Sequence, residues 1–368
     1  MILISVESKN SSYLSGQLQT VLRVLCFILG SGLMFGLPAS AQARPSDTGH
    51  LTVLMYHRFD AGGAISIPME DFKRQINHLQ SNGYNFVSLS RVRRHLADNE
   101  PFPAKSVLIT IDDGYQSTYT RAYPYLKKQG IPWALYVYTR SIDRNFSSAL
   151  TWPQIREMAR NGVAVANHTH SHGHPVSGSF RSGDWIRREI QDPQARLEDE
   201  VDSPVFSFAI PYGEYDRKLL KTLRDTEGYE VVWGIDPGPV QPQKDQLVLP
   251  RFGINGSTSW TEFKDKLSRL PLDVKSLDPK PGEHLNSGGD TIRLELANPD
   301  RYRDEPVNVF LSELGRMEWS WSSDGRTIVV PVQSELEKDW NRIIVTAYDS
   351  EYGRYRFFSR GFPTLGSE

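Results

Sequence analysis

The sequence predicts an α/β barrel followed by an all-β, immunoglobulin-like sandwich, on two observations. Up to about residue 270, short runs of branched apolar residues alternate with helix-spaced patterns, the signature of β-α units around a parallel sheet. Beyond it the hydrophobic period falls to two, as in strands that bury one face.

The barrel reading rests on runs predicted as strands at 51–56, 86–89, 107–111, 133–138, 163–166, 205–210, 230–235 and 247–249. Between them Phe72, Ile76 and Leu79 recur at helical spacing and stop at Gly83, and Ile155, Met158 and Ala159 do the same before Gly162. Seven or eight such units predict a (β/α) barrel, complete or open, over residues 48–268. After a linker containing Pro279-Lys280-Pro281-Gly282, Ile292, Leu294 and Leu296 alternate with charged residues, and Met317, Trp319 and Trp321 alternate with polar ones. Asp324-Gly325 reads as a hairpin turn, and further strands are expected at 307–311, 343–348 and 355–358. A sandwich over residues 272–365 accounts for them. Its aromatic residues suit a packed core, with sugar binding as the alternative.

Composition narrows the function classes. Lys and Arg number 42 against 44 Asp and Glu, a net charge of −2, so no basic field directs the chain to nucleic acid. Residues 1–43 read as an export signal: Lys9 and Arg23 precede the apolar run from Val24 to Leu37, and Ala41-Gln42-Ala43 offers a cleavage site. That run is shorter than the roughly 20 residues that cross a bilayer, so no stable membrane anchor is expected after processing, and the mature chain is expected in the periplasm or outside the cell. The single cysteine, Cys26, lies within the signal, which leaves carboxylates, imidazoles and hydroxyls for chemistry.

In a (β/α) barrel the site forms at the C-terminal ends of the strands. The predicted strands end in Tyr56-His57, Asp112-Asp113-Gly114, Asn167-His168-Thr169-His170-Ser171-His172, Ile210-Pro211-Tyr212-Gly213, Asp236-Pro237-Gly238 and Pro250-Arg251. His168 and His172, four apart, can converge with one carboxylate of the Asp112-Asp113 pair on a divalent cation, leaving coordination positions open. Zn2+ is the default for that donor set, and Co2+, Ni2+ and Fe2+ fit it too. The second aspartate is then free to take a proton from water. Both carboxylates reach one side of a strand only if the chain turns, which Gly114 permits. Separately, the histidines read as a surface tract and Asp-Asp-Gly as a turn.

Thr110-Ile111-Asp112-Asp113-Gly114 resembles the first motif of the polysaccharide deacetylases of carbohydrate esterase family four, the NodB-homology domain, and His168-Thr169-His170-Ser171-His172 resembles the second, His-Ser/Thr-x-x-His. Ala209-Ile210-Pro211-Tyr212-Gly213 is similar to the third, Arg-x-Pro-x-Gly. The resemblance covers about residues 50–255. It implies a distorted (β/α)7 barrel, Asp112 as general base, Asp113, His168 and His172 as metal ligands, and the Tyr212 backbone N–H as an oxyanion donor. An acetylated polysaccharide is the implied partner.

Two departures matter. Ala209 stands where the family has arginine, and Arg251 is the candidate to orient Asp112 instead. The late Leu-x-His motif that supplies the family's general acid is absent, and His57 is the best replacement. A Met55-Tyr56-His57 start together with Ala209 resembles the branch that deacetylates poly-β-1,6-N-acetylglucosamine during biofilm export. Trp152 is a candidate to line the sugar cleft, and Asp236 either orients a site residue or serves a turn. O-deacetylation, because the usual acid is missing, and a noncatalytic glycan-binding role are the alternatives.

Overall fold

The computed structural model describes residues 49–60, 62–176, 183–241, 247–286 and 288–364. The predicted signal, residues 1–43, lies outside them, and among the described residues no helix is long and apolar enough to cross a membrane.

Nine short strands form one parallel sheet: β1 (Leu51–Tyr56), β2 (Asn85–Phe86), β3 (Ser106–Ile111), β4 (Trp133–Val137), β5 (Ala164–Asn167), β6 (Ser207–Ala209), β7 (Val231–Trp233), β8 (Val248–Leu249) and β9 (Phe252–Gly253). Their order is β8-β7-β6-β5-β4-β3-β1-β9, with β2 beside the start of β3. The two ends of that order are consecutive in the chain. Val248 and Leu249 pair with β7, then after Pro250 and Arg251 the same segment pairs with β1 through Phe252 and Gly253. Residues 248–253 thus act as a seventh stave joining both edges of the sheet, and the result is a distorted (β/α)7 barrel.

Strand alternation builds two cores from one set of strands. Leu51, Val53, Leu108, Ala134, Tyr136, Ala166, Ala209, Val231 and Trp233 pack together inside the barrel. Their neighbours Leu54, Tyr56, Ile109, Ile111, Leu135, Val165, Phe208 and Val232 pack outward with Phe72, Ile76 and Leu79 of the helix Met69–Ser81 and Ile155 and Met158 of the helix Trp152–Arg160. Each such side chain contributes about 1.5–3 kcal/mol by burial. Continuing the inward parity past the strand ends aims His57, Asp112, His168 and Ile235 into the open mouth.

Most strands predicted in the barrel recur with ends shifted by one or two residues. The exception is 86–89, where the strand stops at Phe86 and Leu89 opens the helix Leu89–Ala97, because Ser88 accepts a hydrogen bond from the Arg91 N–H and caps it.

Beyond the barrel, β10 (Leu270–Pro271), β13 (Val307–Leu311), β14 (Gly315–Arg316), β17 (Trp340–Asp349) and β18 (Arg354–Pro363) form one sheet in the order β10-β18-β17-β13-β14. A second sheet contains β11 (Val274–Asp278), β12 (Thr291–Leu296), β15 (Ser320–Trp321) and β16 (Thr327–Pro331) in the order β11-β12-β16-β15. Ile292, Leu294 and Val330 of one meet Val309, Ile343 and Val345 of the other in a common core. The Asp324-Gly325 hairpin joins β15 to β16 as expected. The alternating stretch at 317–321 does not form one strand: only Ser320 and Trp321 pair with β16, while Met317 donates its N–H to Val309 of the opposite sheet. The expected linker is packed, with the Gly282 carbonyl accepting from Arg217 N–H at the start of a barrel helix.

Candidate metal-dependent active site

Asp112 continues the inward parity of Leu108 and Thr110, and its backbone N–H donates to the Tyr56 carbonyl at 2.9 Å. The next residue would face the helices, but Asp113 adopts φ +74° and Gly114 φ +69°, so the chain turns and both carboxylates line one cavity. Three more residues at this rim, Thr169, His172 and Tyr212, have φ of 73°, 57° and 56°. Left-handed backbone at non-glycine residues costs about 1–3 kcal/mol each and concentrates where side chains must be aimed. A Cβ on Gly114 would lie 2.9 Å from Val137 Cγ1. Gly114→Ala is therefore expected to lower stability by about 1–3 kcal/mol, read as a shift in the urea midpoint, and an unchanged midpoint would show that the turn tolerates a side chain.

His168 and His172 are aimed by hydrogen bonds. The His168 N–H donates to the Val137 carbonyl at 3.0 Å, the His172 N–H donates to Thr169 Oγ1 at 3.0 Å, and Thr169 N–H donates to Asn167 Oδ1 at 2.8 Å. His168 Nδ1 lies 2.8 Å from the Ala209 carbonyl, which can only accept, so the proton sits on Nδ1 and Nε2 presents its lone pair inward. Nε2 of His168 and Nε2 of His172 are 3.1 Å apart, and Asp113 Oδ1 lies 3.4 and 3.2 Å from them.

Asp113 Oδ1 is buried without a hydrogen-bond partner, although it faces two imidazole nitrogens. Three electron-pair donors in one triangle require a proton or a cation between them. A tetrahedral cation about 2.0–2.1 Å from its ligands places them about 3.3–3.4 Å apart, close to the observed edges. The donor set, two imidazoles and a carboxylate, fits a divalent metal. Burial opposes charge on Asp113, but the His168 and His172 imidazoles facing it outweigh that and hold the carboxyl below the usual carboxylate range.

Asp112 is held differently. Arg251 Nη1 donates to its Oδ1 at 2.9 Å and Nη2 lies 2.8 Å from its Oδ2, with the guanidinium fully buried. Nε of Arg251 donates to the Gly234 carbonyl at 2.9 Å and Nη1 also reaches Thr110 Oγ1 at 3.3 Å. The guanidinium enters from the seventh stave, between β8 and β9.

His57, at the end of β1, lines the same cavity. Burial lowers its pKa, only partly offset by the charges of Asp112 and Asp113, so the ring is a stronger acid than an exposed histidine. Tyr212 lines the cavity with its ring stacked on His174 at 3.7 Å and 6°, and His174 Nδ1 lies 3.0 and 3.1 Å from the Glu214 carboxylate oxygens. His170 Nδ1 pairs with Thr139 Oγ1 and stays outside the triangle.

Two candidate residues sit elsewhere. Trp152 is not among the residues lining the cavity; as the first residue of a helix on the outer layer, it donates from Nε1 to Asp143 and lies under Arg196. The Asp236 carboxylate accepts from Arg342 Nε at 2.6 Å and the Gly361 N–H at 3.1 Å, tying the barrel to the sheet of β17 and β18. Only its backbone carbonyl serves the site, accepting the Arg251 N–H at 3.0 Å. Sequence reasoning missed Tyr115, Tyr138, Arg140, Phe146 and Asn255, which line the cavity. Proximity to strand ends was the only available signal for Tyr115, Tyr138 and Arg140.

Residues 99–232 match the family model described as polysaccharide deacetylase. YxkH of Bacillus subtilis (strain 168) is 27% identical over 224 residues, covering 61% of this chain and 78% of that protein. The poly-beta-1,6-N-acetyl-D-glucosamine N-deacetylase of Escherichia coli (strain K12) is 26% identical over 262 residues, covering 60% of this chain and 38% of that protein, so the match spans well under half of it. Among solved structures, the Streptococcus pyogenes deacetylase PplD in complex with acetate aligns at TM-score 0.54 and 26% identity, over 60% of this chain and 98% of that one. IcaB from Ammonifex degensii aligns at TM-score 0.53 and 28% identity, over 60% and 97%.

Proposed function

We propose that this chain, whose residues 99–232 match the polysaccharide deacetylase family model, hydrolyses N-acetyl groups of an exported N-acetylglucosamine polymer with a divalent metal, most simply Zn2+. The observation that carries the reading is the Asp113, His168 and His172 triangle opening into the same cavity as the Asp112–Arg251 pair. The printed activity of the Escherichia coli relative supports the polymer class.

In this reading Asp113, His168 and His172 hold the cation, which when bound supplies Lewis-acid polarisation of a carbonyl and makes water more acidic. Asp112, fixed by Arg251, takes a proton from the attacking water. The Tyr212 backbone N–H donates to the developing oxyanion. His57 gives a proton to the departing nitrogen as the C–N bond breaks, so that acetate and an amine leave. Amide hydrolysis needs this last transfer because an amine anion is a poor leaving group. The N-terminal signal pattern supports export to where such a polymer lies.

The test is acetate release by the mature protein after chelation and after metal restoration, on N-acetylglucosamine oligomers with O-acetylated xylan as control. Chelation is expected to abolish release from the oligomers and added Zn2+ to restore it. Release from xylan alone would move the protein to the O-esterases, and metal-independent release would remove the triangle from the reaction.

A further inference from the structure

Of the described residues lining the cavity, two carry a buried polar atom without a hydrogen-bond partner: Asp113 Oδ1, accounted for by the metal reading, and Arg140 Nε. Native proteins rarely leave a buried donor unmet, so a second orphan in the same cavity calls for an acceptor that arrives with the ligand. Arg140 is fixed at its backbone, its N–H donating to the His170 carbonyl at 2.9 Å and its carbonyl accepting from Arg144 N–H at 3.1 Å. It follows β4, which stands between the strands that carry Asp113 and His168. Neighbouring arginines have carboxylate partners, Arg251 on Asp112 and Arg58 on Asp60, whereas Arg140 forms no ion pair among the described residues. With Asp112 neutralised by Arg251 and one positive charge left over from a divalent cation on Asp113, Arg140 adds a second positive charge to the cavity.

The proposed reaction turns a neutral acetamide into an amine that is an ammonium at neutral pH. The cavity, 710 Å³ in volume, has room for more than the reacting acetamido group. We infer that Arg140 is a specificity-determining residue that reads the sugar next to the one being deacetylated. It donates to an acceptor oxygen of an acetylated neighbour and repels a neighbour that already carries an ammonium. Deacetylated units are then spaced along the polymer rather than adjacent. This rests on the deacetylase reading.

The test compares the zinc-loaded wild-type chain with Arg140→Gln and Arg140→Lys on poly-β-1,6-N-acetylglucosamine oligomers, with products sequenced by mass spectrometry at equal acetate release. Arg140→Gln is expected to raise the share of adjacent free-amine pairs at least threefold, while Arg140→Lys, which keeps the charge, stays within twofold of wild type. Equal shares in all three overturn the inference, as does Arg140→Lys behaving like Arg140→Gln, which would assign the effect to shape rather than charge. In a parallel arm, calorimetry measures binding of a fully acetylated tetramer against one with a single internal free amine. If wild type releases no acetate yet prefers the acetylated tetramer, and Arg140→Gln loses that preference, the hydrolase reading fails and the charge reading stands. No preference in binding overturns it.

Discussion

Asp112→Asn is expected to lower kcat for acetate release by about 10²- to 10⁴-fold while the chain keeps its full complement of zinc. The substitution preserves shape and removes the carboxylate proposed to take the proton from water. It leaves Asp113, His168 and His172 untouched, so the metal triangle is unaffected. The amide can still accept from Arg251 through Oδ1, but its NH2 group faces the second guanidinium nitrogen, donor against donor, where Asp112 Oδ2 now lies 2.8 Å from Nη2. KM is expected to change little, since in the proposed reaction the carboxylate acts on water rather than on sugar. Metal stoichiometry by mass spectrometry and acetate release on one preparation decide it. Loss of zinc in parallel with activity would mean that Asp112 is a ligand, and full activity would remove it from the reaction.

Arg251→Met is expected to cost about 3–5 kcal/mol of stability, because it leaves the Asp112 carboxylate, 1% exposed, without its cation. It also strips the bonds to the Gly234 carbonyl and Thr110 Oγ1. Breaking one half of a buried ion pair is far more costly than replacing both halves with neutral groups. The double variant Arg251→Met with Asp112→Asn is therefore expected to regain much of the lost stability while staying inactive. Urea midpoints of the wild type, both single variants and the double variant form the cycle. Additive costs would show that the two side chains do not depend on each other.

What the sequence made legible was whatever strand alternation controls. His57, Asp112, His168 and Arg251 fall at strand ends in inward register, so a correct strand assignment carried them to one cavity. Asp113 required more than register: its own positive φ, beside that of Gly114, brings it to the rim, where the sequence suggested glycine alone. The side chains of Trp152 and Asp236 go elsewhere, because position near a strand end or helix start does not say which partner competes for a side chain. Asp143 takes the indole and Arg342, 106 residues away, takes the carboxylate. Phe146 and Asn255 belong to no recognisable motif, and only the cavity lining reveals them. At Leu89 a capping serine outweighed an apolar run that suited either state.

The stave of residues 248–253 makes shape and chemistry one event. The segment that hands the sheet from β7 to β1 also delivers Arg251 to Asp112, and the distant β18 grips it where Arg360 donates to the Val248 carbonyl at 2.9 Å. A ring fastened at one clasp cannot loosen there and leave Asp112 in place. Any partial opening of this seam would take Arg251 from Asp112, so the intact hoop and the fixed Asp112 carboxylate are the same state of the molecule.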